Sequence, residues 1–423
     1  VGSLKAAFGL IDSRRSELVS WLRGLLRIDT CNPPGRNYEA LVDYIEPRFR
    51  ELGYTTSRIT VPQEEVERIP LPLEGPRVNL VARRDYGCDE DVTIYAHTDT
   101  VPVGEGWTRD PFAGELVNGR IYGRGALDMK GTIASLIVAL QVMEELKLKP
   151  VFNINCMLCT DEEIGVAPGV KYLLEVGAVK GHVLCLEGGA QEPYLPLGML
   201  GDVNVVIEVK GKSVHSGRSF LGVNALEEAI PLLNELMALK RQVEGRVSEV
   251  PAMPGSGSPT GRLMPRLSIN VMHAGTKANI VPARCEIVVE RRYIVEEGYR
   301  EVEQELLDAL ERGRKRSRAL DITTNIYHIY PAYRVDPDSQ YMRRAKEALK
   351  TVKGFREEEF VTGGVFASSD MAHVVEELGP GRLAHLGPFR SANTSAHGPD
   401  EYVLLEDLVA LAKEIVYYLS APG

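Results

Sequence analysis

Cysteine, tryptophan and glutamine are scarce: 6 Cys, 2 Trp and 6 Gln in 423 residues. Six cysteines in a chain of this length do not make a disulfide framework. No apolar run approaches the roughly 18 residues of a membrane span. The best, Ile133 to Met143, is short and interrupted by Ser135 and Gln141. Positive charge is the minority sign, 49 Lys and Arg against 59 Asp and Glu, giving −10 and a pI near 5.5. That balance argues against a dedicated binder of nucleic acid or anionic membrane, since both need basic patches. Val1 to Arg15 lacks the basic-then-apolar order of a secretion signal. What remains is a chain 44% apolar and 26% charged, enough for a large core. At ~150 residues per domain the length suits roughly three domains, or two unequal ones. The expectation is a soluble, cytoplasmic, globular protein.

Cys156 and Cys159 form a C-x-x-C, a spacing used for zinc and redox chemistry. They fall in VFNINCMLC, an apolar run typical of a buried strand, where an odd spacing points two thiols to opposite faces. No second pair accompanies them, so buried structural thiols are expected.

Helical periodicity at Ser16–Arg27, Tyr38–Leu52 and Ile133–Leu146 alternates with strand-like runs at Val78–Ala82, Val92–Ala96, Val151–Leu158 and His182–Glu187. This alternation predicts an α/β domain with a mostly parallel central sheet covered on both faces. The style changes after Gly201. Strand patterns at Asp202–Val209, Leu267–His273, Ala283–Tyr293 and Asp321–Ile329 are interleaved with helical ones at Asn224–Leu239 and Glu297–Arg312. The order βαββαβ is that of a ferredoxin-like α+β module. Pro231 should kink or break its first helix, and the Pro-, Gly- and Ser-rich stretch Val250–Pro265 should be an exposed loop. After Pro331 the α/β style returns, with a helix from Asp338, a strand at Arg382–Leu386 and a helix at Leu405–Leu419. A small domain, 202–330, is thus predicted inside a larger one made of 1–201 and 331–423.

Five segments place acids and histidines at strand ends, where α/β proteins build their sites. They are HTDTVP (His97, Asp99), GRGALDMKG (Asp128), TDEEIG (Glu162, Glu163), LEGG (Glu187) and SAHGPDEYV (His397). Imidazole nitrogen and carboxylate oxygen are both good zinc ligands, so the set suits a two-metal site. Each residue taken alone also suits a hydrogen-bonded turn cap. On the residues alone both readings stand.

In this order, and over essentially the whole chain, these segments resemble the dinuclear-zinc hydrolases that include acetylornithine deacetylase, succinyl-diaminopimelate desuccinylase, aminoacylase and glutamate carboxypeptidase. The resemblance implies two Zn²⁺ per subunit, with Co²⁺ or Mn²⁺ able to take the same ligands. It implies that His97, Asp128 and Glu187 hold one ion, that Asp128, Glu163 and His397 hold the other, and that Asp128 bridges. Asp99 would orient His97 and Glu162 would be the general base. His215, in KSVHSG, would stabilise the oxyanion from the partner subunit of a homodimer formed through the small domain. Asn279, in KANIVP, and Arg292, in VVERRY, would bind the substrate's free carboxylate. Strand alternation puts only one of Arg291 and Arg292 on the inner face, and Arg292 is the choice. His182, His273, His328, His373 and His385 read as structural.

The chain departs from the family in TGGVFASSDM, where an extended insert separates Gly363 and Gly364 from Asp370 in a loop that lines the substrate pocket of relatives. The implied reaction is hydrolysis of an N-acyl amino acid, or of a short peptide with a free carboxylate in a carboxypeptidase or dipeptidase. A non-catalytic scaffold is disfavoured because every implied ligand and the base are present.

Overall fold

Four apolar runs of the first half, with the edge strand Thr55–Thr60 and the late strand Leu383–His385, assemble into a six-stranded sheet. The computed structural model describes residues 2–69, 71–166, 169–188, 191–390 and 395–421; the last glycine of LEGG, Gly189, lies outside them. The chain divides into two units, one of Val1–Leu197, Val335–Gly363 and Ser369–Gly423, the other of Gly198–Arg334 and Gly364–Ser368.

In the first unit the strands lie in the order Thr55–Thr60, Val78–Arg84, Asn153–Cys159, Asp91–His97, His182–Cys185, Leu383–His385. The three pairings on the Leu383–His385 side are parallel and the other two are antiparallel. The inner strands carry apolar side chains on both faces because helices cover both. Every residue of Asn153–Cys159 is buried, and so are all but the last two residues of the helix Lys130–Glu145. An all-round apolar helix must be a core helix. This one packs against Arg15–Leu26 and Leu405–Ser420, and its Ser135 hydroxyl donates to the Leu408 carbonyl at 2.9 Å. The edge strand Thr55–Thr60, sequence TTSRIT, was not legible because it is mostly exposed and carries no apolar alternation.

Cys156 and Cys159 are free and fully buried, and burial pushes both thiols up. His182 stacks on Tyr341 at 3.6 Å and pairs with the Tyr418 hydroxyl at 2.8 Å. His385 is buried, and His328 stacks on Tyr299 at 3.8 Å. Among the described residues no helix is long and apolar enough to cross a membrane.

The second unit holds a four-stranded antiparallel sheet in the order Arg266–Ala274, Arg284–Tyr293, Gly201–Lys210, Asp321–Tyr330. Helices Ala225–Val243 and Tyr299–Arg314 cover one face, where Val203, Val205 and Ile207 meet Leu232, Leu236 and Leu306. Asn224 caps the first helix by accepting from the N–H groups of Leu226 and Glu227. The helix does not break at Pro231. There its backbone is pressed against the second helix: a Cβ on Gly313 would lie 2.6 Å from the Leu232 Cα. Packing on sheet and neighbour outweighs the one hydrogen bond that Pro231 cannot make.

Candidate metal centre

The C-terminal ends of the parallel strands and the loops after them gather the acids and histidines. His97 ends its strand, fully buried. Its Nδ1 faces the Asp99 main-chain carbonyl at 3.1 Å and the Asp99 carboxylate at 3.6 Å. A proton on Nδ1 leaves the Nε2 lone pair aimed at Asp128 Oδ1, 3.0 Å away. The other Asp128 oxygen lies 3.1 Å from His397 Nε2, which is also 3.3 Å from Glu163 Oε2. Asp128 therefore stands between two imidazoles, one oxygen to each.

Two groups of ligand atoms each fall within 4.8 Å: His97, Asp128, Glu163 and Glu162, Glu187, Asp370. Glu187 thus groups with Glu162 and Asp370 rather than with His97, although Asp128 is the neighbour that repels its charge most. Asp370 is the unanticipated member. It is buried and accepts from the Tyr95 hydroxyl at 2.6 Å.

The electrostatics follow from packing four carboxylates and a bridging one together. Burial, then like charge, holds Glu162, Glu163 and Glu187 above the usual carboxylate range, and burial pushes Asp370 up to about 6. Asp128 goes the other way: burial would raise it, but the bonds to His397 and His97 hold it low. The same bonds, with Glu163, lift His397 to about 10, and those from Asp128 and Asp99 raise His97 against the effect of its burial.

Two further networks brace this cluster. The Asp99 carboxylate accepts from the main-chain N–H of Glu162 at 3.2 Å and of Glu163 at 3.0 Å. Asn32 Nδ2 donates to Asp99 at 3.1 Å and to Asp161 at 2.9 Å, and Asp161 meets the buried Arg77 at 3.4 Å. Glu401, fully buried, accepts from the N–H groups of Gly125, Leu127 and Asp128 and pairs with Arg124 at 2.6 Å. None of Asn32, Asp161, Asp370 and Glu401 was picked out as a site residue. The one available signal was polar residues in segments already noted, TDEEIG, SSDM and PDEYV, plus CNPPG near the start.

The remaining expected site residues lie in the second unit or at its border. His215 and Asn279 come together on adjacent exposed loops, where the Ser216 N–H donates to the Asn279 carbonyl at 3.0 Å; His215 Nδ1 accepts from the Gly217 N–H. Arg291 is fully buried on the helix-covered face, paired with Glu297 at 2.6 Å. Arg292 lies on the open face, with Glu290 at 2.7 Å and the Ser368 hydroxyl at 2.6 Å. Gly363 and Gly364 form part of a strand, Val361–Val365, not a loop. Gly364 bridges to Ala252, and a Cβ there would lie 2.4 Å from the Leu263 side chain, so close packing requires glycine.

The residues present fit a pair of divalent cations. Glu163 Oε1 and Glu187 Oε2 are buried without a hydrogen-bond partner. His97 Nε2 and Asp128 Oδ1 present two lone pairs to each other, which a second ring proton or a cation satisfies. The donor set is imidazole nitrogen and carboxylate oxygen throughout, borderline to hard, and suited to zinc, cobalt or manganese.

The sequence from residue 93 to 421 matches the model of peptidase family M20/M25/M40. The chain belongs to that family. It is thereby a hydrolase of amide bonds. It is 30% identical to a succinyl-diaminopimelate desuccinylase of Xylella fastidiosa over 361 residues, 82% of this chain and 88% of that one. To an acetylornithine deacetylase of Salmonella paratyphi B it is 27% identical over 367 residues, 86% of each chain. Its fold matches the crystal structure of an M20 family metallo-carboxypeptidase from Sulfolobus solfataricus with a TM-score of 0.77 at 20% identity, over 95% of this chain and 98% of that one. The family resemblance read from the motifs is thus borne out.

Proposed function

We propose that this M20 hydrolase cleaves the amide bond of an N-acyl amino acid, as a deacetylase or desuccinylase does, with two zinc ions and Glu162 as general base. The observation that carries the reading is the pair of ligand groups built around Asp128 and Glu187. The named relatives, a desuccinylase and a deacetylase, support the substrate class. Asp128 would bridge, with His97 and Glu187 toward one ion and Glu163 and His397 toward the other. When bound, the ions supply a water that is nucleophilic at neutral pH and polarise the scissile carbonyl.

The chain's own residues do the rest. Asp99 holds the main chain of Glu162 and Glu163, so that two adjacent carboxylates keep separate jobs. Glu162 takes the proton of the attacking water on its carboxylate and returns it to the leaving nitrogen. His215 donates to the oxyanion from the small domain of a partner subunit. Asn279 and Arg292 receive the substrate carboxylate, and Gly363 and Gly364 line the pocket. A carboxypeptidase or dipeptidase reading uses the same residues, and the likeness to a metallo-carboxypeptidase favours it as the second choice.

The deciding experiment is metal-dependent hydrolysis of N-acetyl, N-succinyl and dipeptide substrates by the zinc-loaded protein. Turnover of one N-acyl class, abolished by chelation and restored by zinc, is the expected result. Turnover of dipeptides alone would overturn the deacylase reading.

The second unit serves as the lid and dimerisation domain, 202–330 in outline. Its strand Arg266–Ala274 is a sheet edge open to strand addition. Beside it Leu226, Ile230 and Met237 on one helix, with Met272 and Ile280, expose apolar surface. Ile230→Glu is expected to halve the mass seen by light scattering; a wild-type chain that is already monomeric would reject the dimer. Six free thiols suit a reducing compartment, and we assign the protein to the cytoplasm.

A further inference from the structure

The second unit contains a cavity of about 510 Å³ on whose wall stand three cations: Lys240, Arg266 and Arg292. Two of them are matched. Lys240 lies 2.7 Å from Glu244, and Arg292 lies 2.7 Å from Glu290 and 3.4 Å from Asp202. Arg266, only partly buried, makes no side-chain hydrogen bond or ion pair among the described residues. The antiparallel register sets Arg266 directly opposite Arg292. Like charges in that position are destabilising. Glu244 and Glu290 stand on the same wall and are engaged by Lys240 and Arg292, so Arg266, across from a second arginine, is the cation there left without a carboxylate at ion-pair distance among the described residues.

The same wall gives a place to a segment that had none in the sequence. Val250–Pro265 folds back on itself, with Leu263 N–H on the Val250 carbonyl and Ala252 N–H on the Gly261 carbonyl, both at 2.9 Å. Its turn brings Ser256 and Ser258 to the cavity. Hydroxyls and guanidinium groups together are the chemistry of carboxylate recognition.

We propose that Arg266 is a specificity-determining residue, which with Arg292 cradles a substrate bearing two carboxylates. The assignment rests on the reading that Arg292 receives the substrate's free carboxylate. The second carboxylate can come from a dicarboxylic acyl group or from an acidic side chain on the amino acid; both present the same group to Arg266.

Binding and turnover are tested separately. Succinate and butyrate, equal in carbon number and one carboxylate apart, are titrated calorimetrically into the full-length zinc-loaded protein and its Arg266→Gln variant. The variant is expected to weaken succinate by about tenfold or more and butyrate by about twofold at most. Its thermal midpoint should stay level or rise, because a like-charge pair has been removed. Wild-type affinity for succinate, equal weakening of both ligands, or a lowered midpoint revealing a structural partner would each overturn the cradle. Kinetics then identify the source of the second carboxylate. N-succinyl-L-alanine, N-acetyl-L-glutamate and N-acetyl-L-alanine are compared as substrates. A rise in KM for one dicarboxylate in Arg266→Gln, with N-acetyl-L-alanine unaffected, is expected; no change for either dicarboxylate would count against the proposal. Should no substrate turn over while the variant still loses succinate, the proposed reaction fails and the cradle stands.

Discussion

Glu162→Gln is expected to lower kcat by about 10²–10⁴-fold, the range for loss of a general base, with metal content unchanged. The substitution keeps the shape of the side chain and removes its capacity to take a proton. Its backbone is unaffected, because the Asp99 carboxylate grips the main-chain N–H groups of Glu162 and Glu163 whatever their side chains. Glu163→Gln serves as the contrast. That carboxylate faces His397 at 3.3 Å and leaves Oε1 buried without a partner, so its loss should lower bound metal. Metal analysis beside the kinetic assay separates the two. Activity within tenfold of wild type in Glu162→Gln would remove Glu162 as base. Loss of metal in that variant would make it a ligand instead, in keeping with its grouping with Glu187 and Asp370.

Glu401→Ala should cost about 3–5 kcal/mol, the range for breaking a buried ion pair by removing one partner. Glu401 and Arg124 are each about 1% exposed and meet at 2.6 Å. Burial, with Asp128 nearby, raises the Glu401 carboxyl to about 7, and Arg124 and the backbone donors oppose that rise. Without the carboxylate, Arg124 is left charged and buried, and the N–H groups of Gly125, Leu127 and Asp128 lose their acceptor. Arg124 also donates to the carbonyls of His397 and Gly398, both at 3.1 Å, so the pair ties the Asp128 loop to the His397 loop. Metal affinity should therefore fall together with stability. Denaturant unfolding and equilibrium dialysis of zinc read the two effects. A loss below about 1 kcal/mol with zinc binding intact would show that neither loop depends on the pair. Replacing both partners, as Arg124→Met with Glu401→Leu, should recover part of the stability because no charge is left stranded.

Much of the first unit was legible because its signals are local. A buried strand is a short run such as VTIYAH, and a histidine or acid just after it must stand at the sheet's C-terminal edge. His97, Glu162, Glu163 and Glu187 were found in that way. The six-residue edge strand was not, since an exposed strand needs no apolar pattern.

Asp370 shows why the rest was hidden. It precedes the helix Met371–Leu378, where an acid ordinarily reads as a cap, yet it makes no capping bond and instead meets Tyr95, 275 residues away. Glu401 lies as far from the loop it holds, and Asn32 joins Asp99 to Asp161 across 67 and 129 residues. The sequence by itself determined the two kinds of sheet and which acids and histidines stand at strand ends, because periodicity and chain order carry that information, and its motifs carried the resemblance to the family. Only the tertiary structure decided which carboxylates share a space, which buried pair fixes Asp128, and that Arg266 stands opposite Arg292. Those facts depend on register and packing between distant segments, and no local pattern records them.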